Sequence, residues 1–432
     1  MGYYQKEIEC MPQEKLRELQ SERLAKQVRH AWYHVPYYQK KMQMAGVTPG
    51  QIRSVEDLKK LPMLKKDDLR KAYPYGLLGV SLDDCVRVHS TSGTTGKRVL
   101  AFYTQADLDL WSDCCARALA AAGTTQKDLV QICYGYGLFT GGLGIHGGSE
   151  KLGALTVPMS SGNTDRQIQF MEDLGTTVLC CTPSYAEYLA ECVEKADALD
   201  RLKLKAGIFG AEAWTEEMRA DIERRLHIQA YDIYGLTELS GPGVAFGCSA
   251  HAGMHLNEDH FIAEIIDPET NELLPDGSVG ELVLTSITKE AFPLIRYRTR
   301  DLCTLTHETC SCGRTFARIS KPMGRTDDML IIRGVNVFPS QVETVLLEQG
   351  YEANYQIVVD RVGATDTFEV LVEMNAGHFS DSLREITQME KELVGALRMM
   401  LGITATVKLV APGSIERSEG KAKRVIDRRK LV

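Results

Sequence analysis

HSTSGTTGKR, residues 89–98, opens the region from which the fold is predicted. From about residue 86 to residue 235, short apolar runs alternate with amphipathic stretches. The apolar runs read as buried strands are 129–133, 177–181 and 206–209, and the amphipathic stretches read as helices are 165–174, 185–195 and 215–225. Such alternation predicts an α/β fold with a largely parallel sheet.

The same segment has the chemistry of a phosphate-binding loop. Its hydroxyl groups can donate to phosphate oxygens, its glycines allow a tight turn with exposed N–H groups, and its lysine adds positive charge. The residues expected to bind phosphate are Ser90, Thr91, Ser92, Gly93, Thr94, Thr95, Gly96 and Lys97. The segment is not the P-loop of nucleoside triphosphatases, because its glycines are too close together and Arg98 replaces the magnesium-binding hydroxyl residue. A polar surface turn is the alternative interpretation.

The rest of the chain predicts further units around this α/β region. Residues 5–45 have helical spacing. Between 261 and 306, three strand-like segments, 261–266, 280–285 and 301–305, are divided by turns, which is typical of a small β-rich subdomain. After Gly324 the pattern is βαβ-like. We expect an N-terminal domain at residues 1–326, a connector at 327–328, and a small α+β C-terminal domain at 329–432.

Composition restricts the function further. The 432 residues carry a formal charge of −8, which argues against general nucleic-acid binding, because that depends on a basic surface. No apolar run reaches the length of about 18 residues expected of a membrane span, and Met1 to Arg23 contains no apolar signal core. These features favour a cytoplasmic protein without membrane contact. Most of the 12 cysteines are expected to be free, buried thiols, and the pairs Cys114-Cys115 and Cys180-Cys181 lie in apolar runs typical of a core.

Three cysteines and one histidine predict a metal site. Cys248 precedes His255 by seven residues, and Cys310 and Cys312 form a Cys-x-Cys pair. Together they supply the ligand set of a closed, structural zinc site. His251 is an alternative ligand to His255, and a set of unligated thiols is the alternative to the metal.

Several motifs, in order, resemble the adenylate-forming superfamily of acyl-CoA synthetases and luciferases. Besides the phosphate loop, they are Tyr234 to Glu238, Tyr297 to Asp301 with Arg300 where the family has glycine, Gly324 to Asp328, and Gly420-Lys421. The closer resemblance is to phenylacetate–CoA ligases, through segments 134–144, 161–164, 180–185 and 331–339. Ile415-Glu416 departs from that family's more common Leu-Pro.

This resemblance implies ATP-dependent ligation of phenylacetate, or a close arylacetate, to coenzyme A. The reaction would pass through an acyl-adenylate and release AMP and pyrophosphate, with Mg²⁺ as cofactor. The implied partners are the aromatic acid, ATP and CoA, and a homodimer is the implied assembly. Two other activities stay open: adenylation of indoleacetate or another aromatic acid, and loading of a carrier protein. A non-catalytic nucleotide-binding protein is the remote alternative, although Lys421, Glu238 and Asp301 are all present.

The resemblance also implies roles for individual residues. Thr237 would contact the α-phosphate, Glu238 would hold magnesium, and Lys421 would bridge the attacking carboxylate and the α-phosphate. Asp301 would accept hydrogen bonds from the ribose, with Arg325 near the ribose or phosphates and Asp327 as the pivot of the C-terminal domain. The adenine slot would comprise Gly210, Ala211, Glu212, Asp232, Ile233, Tyr234 and Gly235.

Each assignment has a simpler alternative. Glu238 could be a helix cap or a surface residue, Asp327 could cap the next element, and Asp301 could pair with Arg298 or Arg300. Lys421 could belong to a solvated basic run.

An arylacetate needs an apolar slot for a flat ring. The candidate walls are Tyr136, Phe139, Gly142 with its neighbouring glycines 141 and 144, Ala211 and Pro242. Ordinary core packing is the alternative for the aromatic residues.

Overall fold

The structure is a computed structural model that describes residues 2–91, 98–325, 330–333, 335–362, 365–375, 382–416 and 423–429. Within those residues the α-helices are α1 (Lys6–Glu9), α2 (Gln13–His34), α3 (Pro36–Met44), α4 (Lys66–Lys71), α5 (Gln105–Ala121), α6 (Thr140–Leu152), α7 (Thr164–Leu174), α8 (Pro183–Lys195), α9 (Glu216–Leu226), α10 (Pro339–Glu348) and α11 (Leu383–Leu401). The strands are β1 (Arg87–Ser90), β2 (Leu100–Tyr103), β3 (Leu129–Ile132), β4 (Leu155–Val157), β5 (Val178–Cys181), β6 (Ala206–Gly210), β7 (Gln229–Leu236), β8 (Gly241–Gly247), β9 (Met254–Leu256), β10 (Phe261–Ile266), β11 (Gly280–Ser286), β12 (Tyr297–Cys303), β13 (Leu305–Thr306), β14 (Arg318–Ile319), β15 (Leu330–Ile332), β16 (Val335–Val337), β17 (Tyr355–Val362), β18 (Thr365–Glu373), β19 (Thr406–Val410) and β20 (Val425–Asp427).

The central sheet has nine strands in the order β13-β14-β9-β8-β7-β6-β5-β3-β4. Its half from β7 to β4 is parallel, as predicted, whereas β8, β9, β14 and β13 add to it antiparallel. Along β5, Val178 and Cys180 join one apolar core, and Leu179 and Cys181 join another. Burial on both faces explains why the parallel strands read as continuous apolar runs.

The predicted β-rich subdomain is a three-stranded antiparallel sheet, β10-β11-β12. Its third strand was predicted at 301–305, but it runs from Tyr297 to Cys303. Alternate residues of β12 are buried, and two of those, Thr299 and Asp301, are polar. Polar residues at buried positions hid the alternation in the sequence.

The C-terminal region, from residue 330 onward, forms a sheet in the order β19-β18-β17-β20 with its own apolar core. It also contacts the N-terminal region, which we define as the described residues up to 325. Ala353 joins a core that is otherwise formed by the N-terminal region, and the Ser340 hydroxyl donates to the Met323 carbonyl at 3.0 Å. Asn354 Nδ2 donates to Glu191 Oε1 of α8 at 3.4 Å.

Among the described residues, no helix combines the length and apolar character needed to cross a membrane. Every cysteine is a free thiol, and the predicted core pairs Cys114-Cys115 and Cys180-Cys181 are buried.

Candidate active site

The predicted phosphate loop begins at the end of the β1–β2 hairpin. Ser90 is buried, and its N–H donates to the Leu138 carbonyl at 3.0 Å. Thr91 N–H donates to Val99 O at 3.0 Å, and Thr91 Oγ1 accepts from Val99 N–H at 3.1 Å. These bonds close the base of the loop beside the start of α6. The remaining predicted loop residues, Ser92 to Lys97, lie outside the described part of the chain.

Thr237 and Glu238 occupy the turn between β7 and β8. Thr237 Oγ1 lies 3.4 Å from Thr140 Oγ1 at the start of α6, so the turn and the phosphate-loop hairpin share one end of the sheet. The Glu238 carboxylate is 3% exposed, and Tyr297 OH donates to it at 3.3 Å. Lys66 Nζ of α4 lies 3.4 Å from its Oε1. Glu238 therefore offers the hard oxygen donor that suits Mg²⁺, next to a cation.

Two lysines at this turn were not predicted. Lys66 lies in a charged stretch that has no recognisable motif. Lys289 is buried, its Nζ lies 3.9 Å from the Tyr103 ring centroid, and it donates to the Leu239 carbonyl. Burial lowers the pKa of Lys289 to about 7. No local sequence signal distinguishes it, since its surroundings come from distant segments.

Asp301, Tyr234 and Arg325 converge near the start of the C-terminal region. The Tyr234 hydroxyl donates to Asp301 Oδ2 at 2.5 Å, and Arg325 Nη1 lies 3.4 Å from Asp301 Oδ1. Burial raises the pKa of Tyr234. Arg298, one alternative partner for Asp301, instead pairs with Glu281, with Nε at 3.1 Å from Oε1.

The residues predicted to form the adenine slot come from two paired strands. Gly210 of β6 is in register with Ile233 of β7, and a Cβ at Gly210 would lie 2.0 Å from the Ile233 carbonyl oxygen. A Cβ at Gly235 would lie 1.5 Å from the Gly241 carbonyl oxygen. Glycine is therefore required at both positions for the backbones to approach this closely. Ala211 follows β6 with a φ of +75° and is exposed.

Two acidic residues of that predicted set have structural partners. Asp232 Oδ1 accepts from Trp214 Nε1 at 2.7 Å, and burial raises the pKa of Asp232. Glu212 Oε1 accepts from the backbone N–H of Ser184 in the first turn of α8 at 2.7 Å. These bonds tie the loop after β6 to β7 and to α8, at the edge of the predicted slot.

The candidate acid-pocket residues fall into separate groups. Pro242 O accepts from Trp111 Nε1 at 2.8 Å, and a Cβ at Gly144 would lie 2.5 Å from the Trp111 ring. Tyr136 packs over Gly142, and its hydroxyl lies 3.2 Å from His146 Nδ1. The Phe139 ring is 42% exposed. Trp111, absent from the predicted set, links the glycines of α6 to Pro242.

Lys421 and Asp327 lie outside the described residues, as do the other hinge residue, Asp328, and the Gly420 that precedes Lys421.

The four predicted zinc ligands are brought together. Their side-chain ligand atoms, from Cys248, His255, Cys310 and Cys312, all lie within 4.8 Å of one another, and all four residues are buried. The Sγ atoms of Cys248 and Cys310 are 3.8 Å apart, and Cys312 Sγ lies 3.2 Å from His255 Nε2. A tetrahedral zinc with Zn–S bonds of about 2.3 Å requires sulfur–sulfur distances of about 3.8 Å.

The surroundings orient this cluster for a metal. His255 Nδ1 lies 3.1 Å from the Phe316 carbonyl, which leaves Nε2 directed at the thiols. That is the usual arrangement of a metal-binding histidine. His251, the alternative ligand, instead stacks on Tyr231 and lies 2.6 Å from Arg219 Nη1.

Comparisons with known proteins agree with the motifs. The AMP-binding enzyme family matches residues 18–288, and the AMP-binding enzyme C-terminal domain family matches residues 334–429. The chain is 46% identical to the phenylacetate–coenzyme A ligase of Thermus thermophilus, over 99% of this chain and 100% of that protein. It is 48% identical to the phenylacetate–coenzyme A ligase of Aromatoleum evansii, over 98% and 96% of the two chains.

A solved relative was captured in more than one state. The crystal structure of 2-hydroxyisobutyryl-CoA ligase in the postadenylation state is 30% identical, covers 98% of this chain and 92% of its own, and superposes with a TM-score of 0.92. The same ligase in the thioesterification state, with CoA, is 31% identical at the same coverage and gives 0.72. The present arrangement of the two regions therefore resembles the postadenylation state.

Proposed function

Because the chain belongs to the AMP-binding enzyme family, among the phenylacetate–coenzyme A ligases, we propose that it ligates phenylacetate or a close arylacetate to CoA. The reaction passes through an acyl-adenylate and releases AMP and pyrophosphate. The near full-length identity of 46–48% to four such ligases carries this proposal. The geometry of the site supports it too. Asp301, Tyr234 and Arg325 converge at the end of the sheet where Thr237 and Glu238 also lie.

In the first half-reaction the acid's carboxylate attacks the α-phosphorus of ATP. An O–P bond forms between the carboxylate and the α-phosphorus, and the P–O bond to pyrophosphate breaks. Because two anions must meet, the site needs oriented donors and cations. The phosphate loop, Ser90 to Lys97, and Lys66 hold the phosphates, and Thr237 donates to the α-phosphate. Asp301 accepts from the ribose, and Lys421 supports the developing charge. Bound at Glu238, Mg²⁺ would neutralise phosphate charge.

In the second half-reaction the CoA thiolate attacks the acyl carbon and AMP leaves. We infer that the C-terminal region, residues 329–432, turns about the hinge at Asp327-Asp328 relative to residues 1–326. The two states of 2-hydroxyisobutyryl-CoA ligase support such a change. The pocket for the acid is assigned to Tyr136, Phe139, Gly142, Ala211 and Pro242.

The test is AMP formation with ATP, Mg²⁺ and CoA across phenylacetate, 4-hydroxyphenylacetate, indoleacetate, benzoate and hexanoate. An arylacetate-dependent signal that Lys421→Ala abolishes is expected. Turnover of none of these acids, or of hexanoate alone, would contradict the proposal. A product formed on a carrier protein's pantetheine arm, but not on free CoA, would favour the carrier-loading alternative.

We also propose that Cys248, His255, Cys310 and Cys312 bind one structural zinc ion. The ion would join the loop after β8 to the loop before β14, and it would take no part in the ligation reaction. Metal analysis of the purified protein should give one zinc per chain, and Cys312→Ser should lose it. A chain that retains full stability after exhaustive chelation would contradict a structural role.

The resemblance further implies a homodimer, which light scattering during size-exclusion chromatography would test.

A further inference from the structure

The turn between β7 and β8, which carries Thr237 and Glu238, is held by two side chains from distant parts of the chain. Lys289 Nζ donates to the carbonyl of Leu239, the residue after Glu238. The Tyr103 hydroxyl donates to the Thr237 carbonyl at 3.4 Å. The backbone carbonyls on either side of Glu238 therefore each accept from a side-chain donor, which restricts the path of the turn.

The two donors also contact each other. Lys289 Nζ lies 3.9 Å from the Tyr103 ring centroid, where a cation is attracted to the face of the ring. Trp111 stacks on the same ring, with the two centroids 5.2 Å apart. Lys289 and Tyr103 are both buried, so water does not readily replace a donor that is lost there.

One buried carboxylate anchors the segments that carry both donors. Asp107 Oδ2 accepts from the backbone N–H of Thr104, the residue after Tyr103, at 3.0 Å. The same carboxylate accepts from the backbone N–H groups of residues 290 and 291, directly after Lys289, at 2.7 and 3.0 Å. The end of β2 and the Lys289 segment are therefore tied to one point at the start of α5.

The ammonium group and the turn are energetically coupled. Burying an ammonium group opposes folding unless hydrogen bonds and charge interactions compensate for its lost hydration. Lys289 obtains such interactions from the Leu239 carbonyl and the Tyr103 ring. Since the first belongs to the turn and the second donates to it, a displaced turn would cost the ammonium group its partners.

We propose that Lys289 is a positioning residue for the first half-reaction: by holding the Leu239 carbonyl, it places Thr237 and Glu238 for the α-phosphate and Mg²⁺. This inference rests on the proposed function, which assigns those ligands to the turn. Lys289 acts through the backbone of the turn and is not itself a catalytic residue. The second half-reaction starts after pyrophosphate has left, so it depends less on this placement.

The test separates the two half-reactions in Lys289→Met, which keeps most of the side-chain volume but removes the donor and the charge. Acid-dependent incorporation of pyrophosphate into ATP reports the first half-reaction, and CoA thioester formation from synthetic acyl-adenylate reports the second. Pyrophosphate incorporation is expected to fall by roughly tenfold or more, because the turn is misplaced, while thioester formation falls by less than about threefold. Equal losses in both reactions, or unchanged pyrophosphate incorporation, would overturn the proposal.

Two further variants separate positioning from a general folding defect. Lys205→Met removes a lysine that is 46% exposed and pairs with Asp128 just before β6, so both reactions should be unchanged. Lys289→Gln keeps an N–H donor, and it should retain at least about threefold more pyrophosphate incorporation than Lys289→Met, because it can still bond the Leu239 carbonyl. Equal losses in Lys289→Gln and Lys289→Met would count against that bond.

The second donor provides a double-mutant cycle. Tyr103→Phe removes the hydroxyl that donates to the Thr237 carbonyl and should lower pyrophosphate incorporation by about twofold. Combined with Lys289→Met, its loss should be smaller than the product of the two single losses, because both side chains hold one turn. A double variant whose loss equals that product would contradict a shared role.

Failure of the inference and failure of the proposed function give different results. Pyrophosphate incorporation by the wild type with arylacetates tests the function, whereas the ratio of the half-reactions tests Lys289 with whichever acid the wild type accepts. Hydrogen–deuterium exchange mass spectrometry adds a readout without substrate. A peptide covering residues 236–241 should take up deuterium about tenfold faster in Lys289→Met and at the wild-type rate in Lys205→Met. Unaltered uptake in Lys289→Met would overturn the positioning role.

Discussion

Buried charges inside the N-terminal region differ from those at its boundary with the C-terminal region. Inside the N-terminal region, Arg117 forms a bidentate pair with Asp259 at 2.7 and 2.9 Å, and Arg314 Nε donates to Glu9 Oε2 at 2.7 Å. At the boundary, Glu343 Oε2 of α10 lies 3.7 Å from Arg424 Nε, whose side chain is 19% exposed, and Glu187 of α8 is also buried. Short matched pairs resist separation, because each charge would be left buried alone.

The carboxylates at the boundary are better suited to a contact that opens and closes. Glu187 and Glu343 carry raised pKa values because burial disfavours their charged forms, so exposure to water relieves part of that cost. In contrast, the neighbours His260 and Arg117 hold the pKa of Asp259 well below its usual range, although burial acts in the opposite direction. We therefore expect the matched pairs to persist and the boundary contact to be the reversible one.

The largest effect is expected from breaking a matched pair. Asp259→Ala leaves Arg117 buried without its bidentate partner and should lower the free energy of unfolding by about 3–5 kcal/mol. Urea denaturation followed by circular dichroism measures the loss. The control, Glu56→Gln, removes an ion pair whose side chains are both 56% exposed and should change stability by less than about 0.5 kcal/mol. Equal losses in the two variants would remove the distinction between buried and exposed pairs.

The second matched pair supports the cysteine–histidine cluster. Glu9→Gln keeps the side-chain shape but removes the charge that pairs with Arg314, whose Nη1 lies 3.7 Å from Cys312 Sγ. We expect a loss of about 2 kcal/mol, as for a hydrogen bond to a charged group, and faster zinc release to a chelator. Glu7→Gln, two residues away and exposed, is the matched control. Unaltered release kinetics in Glu9→Gln would show that the pair does not support the metal loop.

At the boundary, the expected effect depends on pH. Burial raises the pKa of Glu343 to about 7 in the present arrangement of the two regions, which we call closed. Its charged and titratable neighbours are Arg424, Glu212, Tyr355, Glu217 and Glu187. Closure therefore favours the protonated form, and its stabilisation is lost as pH rises through 7. Between pH 6 and pH 8 the closed-to-open ratio should fall by about tenfold.

Small-angle scattering across that pH range would follow the ratio, and Glu343→Gln should flatten the response. A pH dependence that persists in Glu343→Gln would assign it to another group.

The smallest effect is expected at Glu187. Glu187→Gln removes a buried carboxylate that is repelled by Glu343, so stability should change by less than about 1 kcal/mol or increase. The large loss expected of Asp259→Ala in the same urea experiment is the comparison. A loss as large as that of Asp259→Ala would mean that Glu187 and Arg424 form a matched pair after all.

Local pattern accounts for what could be predicted. The parallel strands β3, β5 and β6 are apolar runs bounded by turns, and the helices α7 to α9 follow amphipathic spacing, so both were found within a few residues. The four clustered thiol and imidazole side chains were predicted from two short spacings. The third strand of the small sheet was misplaced, because buried Thr299 and Asp301 are polar.

Long-range contacts account for what was missed. Lys66, Lys289 and Trp111 lie at the candidate site through segments far apart in the chain, and none belongs to a motif. Arg424 follows Lys421 in a basic run that was expected to be solvated, yet its Nε lies 3.7 Å from Glu343 Oε2.

By itself, the sequence determined the fold class, the family and the ligand types, because periodicity and short motifs are properties of neighbouring residues. Only the tertiary structure decided between His255 and His251. Sheet register places His255 opposite Phe246 and Arg318, beside the thiols, whereas His251 stacks on Tyr231. The structure likewise decided which charges are matched, because burial and pairing depend on which distant segments meet.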